Sequence, residues 1–250
     1  MEGTIFKTNN YGDLVITQLI NSTTVHVKFL DTGYETVTQM GHIKRGVVKD
    51  KLVPSLYGVG IFGDEVVRID GKLIKEYMVW SSMLQRCYSN IYQQKRPTYF
   101  GCEVSNSFKT YSYFKEWCGK QVGFNQLDDE GKSFALDKDI LVKGNKVYSE
   151  DTCCFVPKEI NSLLISRKGG RGDTLIGVTY HKRNKKFVVR LSTGKGVQSN
   201  LGSFDTEVEA FKVYKQAKEA YIKQVANKWK DQIDPRVYEA LMKYEVEIDD

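Results

Sequence analysis

Between Asp13 and Gln39 apolar residues recur at alternate positions, most clearly at Val25, Val27 and Phe29. A period of two places such side chains on one face of a strand. Turn-forming residues interrupt the pattern at Asn21-Ser22 and at Asp31-Thr32-Gly33. The stretch therefore predicts four or five short antiparallel strands forming a small barrel or curled sheet, a β-barrel-like module over residues 1–54. "GHIKRGVVKDKLVP" reads as a basic connector leaving it, and Pro54 with Gly58, Gly60 and Gly63 marks a boundary.

The period then lengthens. In "EYMVWSSMLQRCYSN" Trp80 and Leu84 lie four apart, and in "FKTYSYFKEWC" Tyr111, Phe114 and Trp117-Cys118 share one side. Both stretches predict amphipathic helices, with the aromatics as core. "LDKDILVKGNKVYSEDTCCFVPKEIN", residues 136–161, follows with a Gly144-Asn145 turn, a short apolar strand and a Pro-led helix. Phe155, Ile160 and Leu164 are its expected core. Residues 55–168 form the middle module on this reading.

After "SRKGGRGD", a Gly/Arg-rich linker, the period returns to two. Val178 and Tyr180 alternate with Thr179 and His181, and Phe187, Val189 and Leu191 alternate with Lys186, Val188 and Arg190. Three strands are predicted, with turns at about Lys182–Lys185 and Thr193–Gly196. One face is apolar; the other displays His181, Arg183, Lys186, Arg190, Gln198 and Asn200. Thr206 and Glu209 have capping-box spacing, and Ala210, Tyr214, Ala217, Tyr221 and Val225 repeat with helical period to cover the apolar face. Asp234-Pro235 opens a last short helix. The predicted fold class is α+β, with residues 169–250 as a third module: a three-stranded antiparallel sheet packed on a helix.

Charge sharpens this picture. Nine of the 37 basic residues, but only one of the 31 acidic ones, lie between Ser166 and Phe204. That segment accounts for the whole positive excess of the chain, a distribution suited to a polyanion. A merely solvated basic face is the plain alternative. No apolar run approaches the roughly 18 residues of a membrane span. The N-terminus lacks the basic and apolar regions of a secretory signal. The five cysteines, Cys87, Cys102, Cys118, Cys153 and Cys154, include no C-x-x-C. Reduced, buried thiols in a cytoplasm are expected, and zinc bound by three of them with Cys153 or Cys154 is the less favoured alternative.

"IGVTYHKRNKKFVVRLS…NLGSFDTEVEAFKVYKQA" resembles the ethylene-response-factor, or APETALA-type, DNA-binding domain over Ile176 to Ala217. The resemblance implies that Arg183, Lys186 and Arg190 contact double-stranded DNA, with Thr179, His181 and Gln198 as further candidates. Ser199 stands near the position of that family's base-contacting Trp.

"W..M..RCY", "Y.GCEV" and "LDKDIL..GN.VYS..TC.FVP.EIN" are similar to the HNH, or ββα-metal, endonucleases of bacteriophages. The resemblance implies a magnesium or manganese ion at Asp137, with Asp139 and Thr152 as further ligands. Lys138 falls on the general-base position, usually His, and Asn145 on the loop position that braces it. A lysine between two carboxylates is a poor base at neutral pH. It suits charge neutralisation on a transition-state phosphate instead.

Three functions follow as expectations. One is a phage DNA endonuclease that hydrolyses phosphodiesters with one divalent metal. A second is a catalytically silent DNA-binding protein with a regulatory or host-directed role, acting in the host cytoplasm. The third is a module whose basic face meets an acidic protein.

Overall fold

The computed structural model describes residues 1–164, 174–193 and 198–248. The Gly/Arg-rich linker and the turn at 194–197 lie outside the described residues, and with them Arg167, Lys168, Arg171 and Lys195 of the basic segment. The chain is α+β, and it divides into two compact units, Met1–Cys118 and Gly119–Asp250.

In the first unit β1 (Ile5–Lys7), β2 (Asp13–Leu19), β3 (Thr24–Phe29) and β4 (Glu35–Gln39) pair in sequence order as an antiparallel meander. Leu14, Ile16, Val25, Val27 and Phe29 point to one side and form its core with Tyr34, Ile43 and Val48. The strand order is open, β1 and β4 being the two edges, so among the described residues the strands form a sheet and do not close into a barrel. The short helix α1 (Met40–Lys44) lies where the sequence suggests only a connector. It buries a single residue, Ile43, too little apolar signal to show a helical period.

Next comes a tight hairpin, β5 (Arg68–Ile69) and β6 (Lys72–Leu73), turned by Asp70 and Gly71 at φ of 49° and 75°. Two successive positive φ values are what a two-residue hairpin turn requires. Helix α2 (Lys75–Tyr88) buries Trp80, Met83, Leu84 and Cys87. Its end is closed from α3 (Asn90–Lys95), where Gln93 Nε2 donates to the Cys87 carbonyl at 2.7 Å. After β7 (Glu103–Val104), helix α4 (Tyr111–Lys120) buries Tyr111, Phe114, Trp117 and Cys118, the side that the sequence predicts. Phe108 packs its ring 5.0 Å from Phe114 and 4.7 Å from Trp117, and its carbonyl accepts from Trp80 Nε1 at 2.7 Å.

The second unit opens with β8 (Ala135–Asp137), β9 (Val147–Tyr148) and β10 (Cys154–Val156), then α5 (Lys158–Leu163). Strands β8 and β10 are antiparallel, with Asp137 opposite Cys154 and Leu136 opposite Phe155. Phe155 and Ile160 are fully buried, as expected. Leu163 is buried where Leu164 was the expected core residue; Leu164 ends the helix, half-buried.

Three strands then form one antiparallel sheet: β11 (Val178–His181), β12 (Lys186–Ser192) and β13 (Gln198–Phe204). Helix α6 (Glu207–Trp229) covers its apolar face with Ala210, Phe211 and Tyr214 against Val178, Val189 and Leu191. Thr206 caps that helix, accepting the Glu209 N–H at 3.3 Å while its own hydroxyl donates to the Glu209 carboxylate at 2.9 Å. Helix α7 (Pro235–Met242) starts at Asp234, whose carboxylate accepts from Arg236 N at 2.8 Å. Trp229, at the end of α6, donates Nε1 to Glu159 of α5 at 2.8 Å and packs edge-on against Phe134 at 5.7 Å. Lys228 bridges Glu159 and Asp129, each at 2.6 Å. Helix, sheet and the β8–β10–α5 segment are thereby fastened together. No helix among the described residues is long and apolar enough to cross a membrane.

Candidate nucleic-acid interface and the loop after β8

Register decides what the outer face of the sheet carries. Thr179 pairs with Val188, His181 with Lys186, Arg190 with Asn200 and Ser192 with Gln198. A strict period of two would send Leu201 outward with Ser203. The register shifts between Val189 and Arg190, where Gly202 and then Asn200 are the partners. Leu201 is the extra residue of this β-bulge and packs with the core beneath. The bulge thus keeps Asn200 and Gln198 on the outer face. It is pinned by Gly202 N, which donates to Asn200 Oδ1 at 3.2 Å.

Thr179, His181, Arg183, Arg190, Gln198 and Asn200 are exposed, as are Lys182 and Lys185 in the turn between β11 and β12. Among the described residues Arg183 and Arg190 have no acidic partner. Lys186 differs: its ammonium is paired with Asp205, just beyond β13. The sequence gives no hint of this pair, because Asp205 sits directly before the helix cap and reads as part of the helix start. Ser199 pairs with Leu191, which places it with the inward-facing set rather than with Gln198 and Asn200. The outer face therefore presents the Arg190 guanidinium and two amides, with Arg183 and a rim of lysines at the turn between β11 and β12.

In the second unit the loop after β8 is closed by hydrogen bonds from its own side chains. Asp137 Oδ1 accepts the backbone N–H groups of Asp139 and Ile140, both at 2.9 Å, which turns the chain sharply at the strand end. Asn145 Nδ2 donates to the carbonyls of Lys138 at 2.6 Å and Val147 at 2.7 Å, and its Oδ1 accepts from Val147 N at 3.1 Å. Thr152 Oγ1 donates to the Val147 carbonyl at 2.7 Å and accepts from Ser149 N at 3.2 Å.

Lys138 lies in the middle of this net and is only 8% exposed. Its ammonium donates to Asp139 Oδ2 at 3.0 Å and to the Asn145 carbonyl at 2.9 Å, with the Tyr148 ring centre 5.9 Å away. Burial pushes the Asp137 carboxyl up to about 6, and the neighbouring Asp139 charge adds to this; the two backbone donors pull the other way. Burial also pushes the thiols of Cys153, to about 12, and Cys154 up, so both stay protonated at neutral pH.

Asp137, Lys138, Asp139, Asn145 and Thr152, far apart in chemistry, are thus brought into one loop. Magnesium and manganese favour carboxylate oxygens, with waters and substrate phosphates completing the shell. The donors as placed do not fit a resident divalent ion. One oxygen of Asp137 holds two backbone N–H groups, Asp139 is paired with a buried ammonium, and the Thr152 hydroxyl is committed in both directions. Among the described residues no three His, Cys, Asp or Glu side chains gather into a metal-binding group. Compared with known family models, curated proteins and solved structures, the chain matches none.

Proposed function

We propose that this protein binds double-stranded DNA through the outer face of the β11–β13 sheet, and that the loop after β8 serves as scaffold rather than as a hydrolytic centre. The observation that carries the reading is the exposure of Arg190 on the sheet and of Arg183 at its β11–β12 turn, both without acidic partners among the described residues, while α6 seals the other face of the sheet. A narrow antiparallel ribbon fits the major groove, about 12 Å wide, where arginine pairs with guanine and side-chain amides pair with adenine. Arg183, Arg190, Gln198 and Asn200 are the groups of that kind here. Lys182 and Lys185, at the hairpin turn, suit phosphate contacts that set register without reading sequence.

The likeness of Ile176 to Ala217 to the APETALA-type domain supports the same face. The likeness of residues 136–161 to HNH endonucleases supports the β8–β10–α5 arrangement as an inherited scaffold. Its chemistry has less support, because the residue at the general-base position is an ammonium already bonded to Asp139 and the Asn145 carbonyl. A non-enzymatic role on phage or host DNA, regulatory or directed at a host factor, accounts best for these features.

Gel-shift titration of a duplex with wild type and with Arg183→Ala/Arg190→Ala tests the reading. The double variant should bind at least tenfold more weakly, and supercoiled plasmid should stay intact in magnesium or manganese. Equal binding by the variant would remove the proposed interface. Nicking that disappears in Asp137→Ala would restore the endonuclease reading. Binding of acidic proteins unaffected by excess DNA would favour the protein-interaction reading.

A further inference from the structure

We propose that Lys138 is a built-in counter-ion: its ammonium supplies the positive charge that the Asp137–Asp139 pair requires, so the loop from Asp137 to Thr152 sets without a divalent ion. Three observations support this independently of the DNA-binding reading. The first is burial. A lysine in a polar loop ordinarily extends into water and keeps its rotamer freedom, whereas Lys138 is 8% exposed. A desolvated ammonium persists only where acceptors replace its water.

The second is the acceptor set. Asp139 Oδ2 at 3.0 Å provides the opposite charge, the Asn145 carbonyl at 2.9 Å a neutral acceptor, and the face of Tyr148 a π surface 5.9 Å away. These partners come from both ends of the loop, so the ammonium ties residue 139 to residues 145–148. The third is charge balance. Asp137 and Asp139 are two residues apart at a strand end, where two bare carboxylates repel. The Lys138 ammonium, paired with Asp139, leaves a single net negative charge on the three side chains. Adding a divalent ion would set it against the ammonium for the same Asp139 carboxylate. Ion and lysine are therefore alternatives at this loop, and the chain carries the lysine.

The test uses the full chain and no DNA, so its outcome is separate from that of the binding experiment. Thermal unfolding is followed in chelator and in millimolar magnesium or manganese chloride, for wild type, Lys138→Arg, Lys138→Met and Lys138→Met/Asp139→Asn. Wild type should melt at the same temperature with and without metal. Lys138→Arg, which keeps the charge, should stay close to it and be equally indifferent to metal. Lys138→Met should melt several degrees lower in chelator and regain part of the loss with manganese, which now meets two uncompensated carboxylates. The double variant should lose that regain. A saturable rise of the wild-type melting temperature with magnesium or manganese would overturn the proposal, even if Lys138→Met failed to fold. So would a Lys138→Met protein that melts like wild type in chelator, or one whose loss no metal restores.

Discussion

Lys138 and Asn145 hold each other in both directions: the lysine ammonium donates to the asparagine's backbone carbonyl at 2.9 Å, and the asparagine amide donates to the lysine's carbonyl at 2.6 Å. Each side chain thus fixes the other's main chain, and the loop between β8 and β9 closes on the pair. In a nuclease loop the same asparagine would brace an imidazole base. Here its three side-chain hydrogen bonds all go to backbone atoms.

Replacing Asn145 with Ala should therefore be a stability defect. It leaves the carbonyls of Lys138 and Val147 and the N–H of Val147 without that partner, at a cost of roughly 1–3 kcal/mol. Urea unfolding measures it. A midpoint equal to that of wild type would mean that the amide is dispensable to the loop.

Asp137 predicts a pH dependence with a definite sign. Its folded-state value, about 6, lies above the ordinary 3.8. The folded protein therefore holds this proton more tightly than the unfolded chain does. The contribution to stability is greatest at acidic pH, falls as pH rises from about 4 to about 6, and is level above that. Asp137→Asn keeps the oxygen that accepts from Asp139 and Ile140 but cannot ionise. The difference in melting temperature between variant and wild type should grow in the variant's favour across this window. A constant difference would show that Asp137 titrates normally.

Gly177 has φ of 74°, and a β-carbon there would lie 2.0 Å from the Tyr214 ring. The glycine lets α6 close onto the start of β11. Gly177→Ala combines a left-handed backbone penalty with overpacking, together roughly 2–5 kcal/mol. Thermal unfolding should show a large loss, and a near-neutral result would contradict the packing of Tyr214 over this residue.

Asp205 engages Lys186 in a solvent-exposed ion pair, where it competes with a phosphate for the ammonium. Asp205→Asn removes the competing charge without touching Thr206, the helix cap. Duplex affinity at low salt should rise by a few-fold, read by fluorescence anisotropy. An unchanged or weaker affinity would place Lys186 outside the contact surface.

Much of this was legible in the residues because local period and tertiary role coincide. Val25, Val27 and Phe29 alternate and are buried. Tyr111, Phe114 and Trp117 share a helix face and are buried on it. Thr206 and Asp234 sit at capping spacing and cap. The features that escaped have no periodic signature. Alternation with Gln198 and Asn200 already turns Leu201 inward, but it gives no sign of the extra residue in the bulge between Val189 and Arg190. α1 buries one residue only. The bonds of Trp229 and Lys228 to Glu159 join residues 69 or 70 positions apart. Lys138 shows the same limit: flanked by two acids it reads as a cation for a transition-state phosphate, and only the fold shows that its amine is turned inward onto Asn145.

The most direct test of the central claim is the salt dependence of duplex binding. Each phosphate contact contributes a slope of about −0.9 to log affinity against log salt. Wild-type affinity should fall steeply with salt, and Lys182→Ala/Lys185→Ala, which removes two phosphate contacts, should give a slope shallower by roughly 2. Identical slopes for the two proteins would mean that neither lysine at the hairpin turn meets a phosphate, and that the β11–β13 face does not hold DNA.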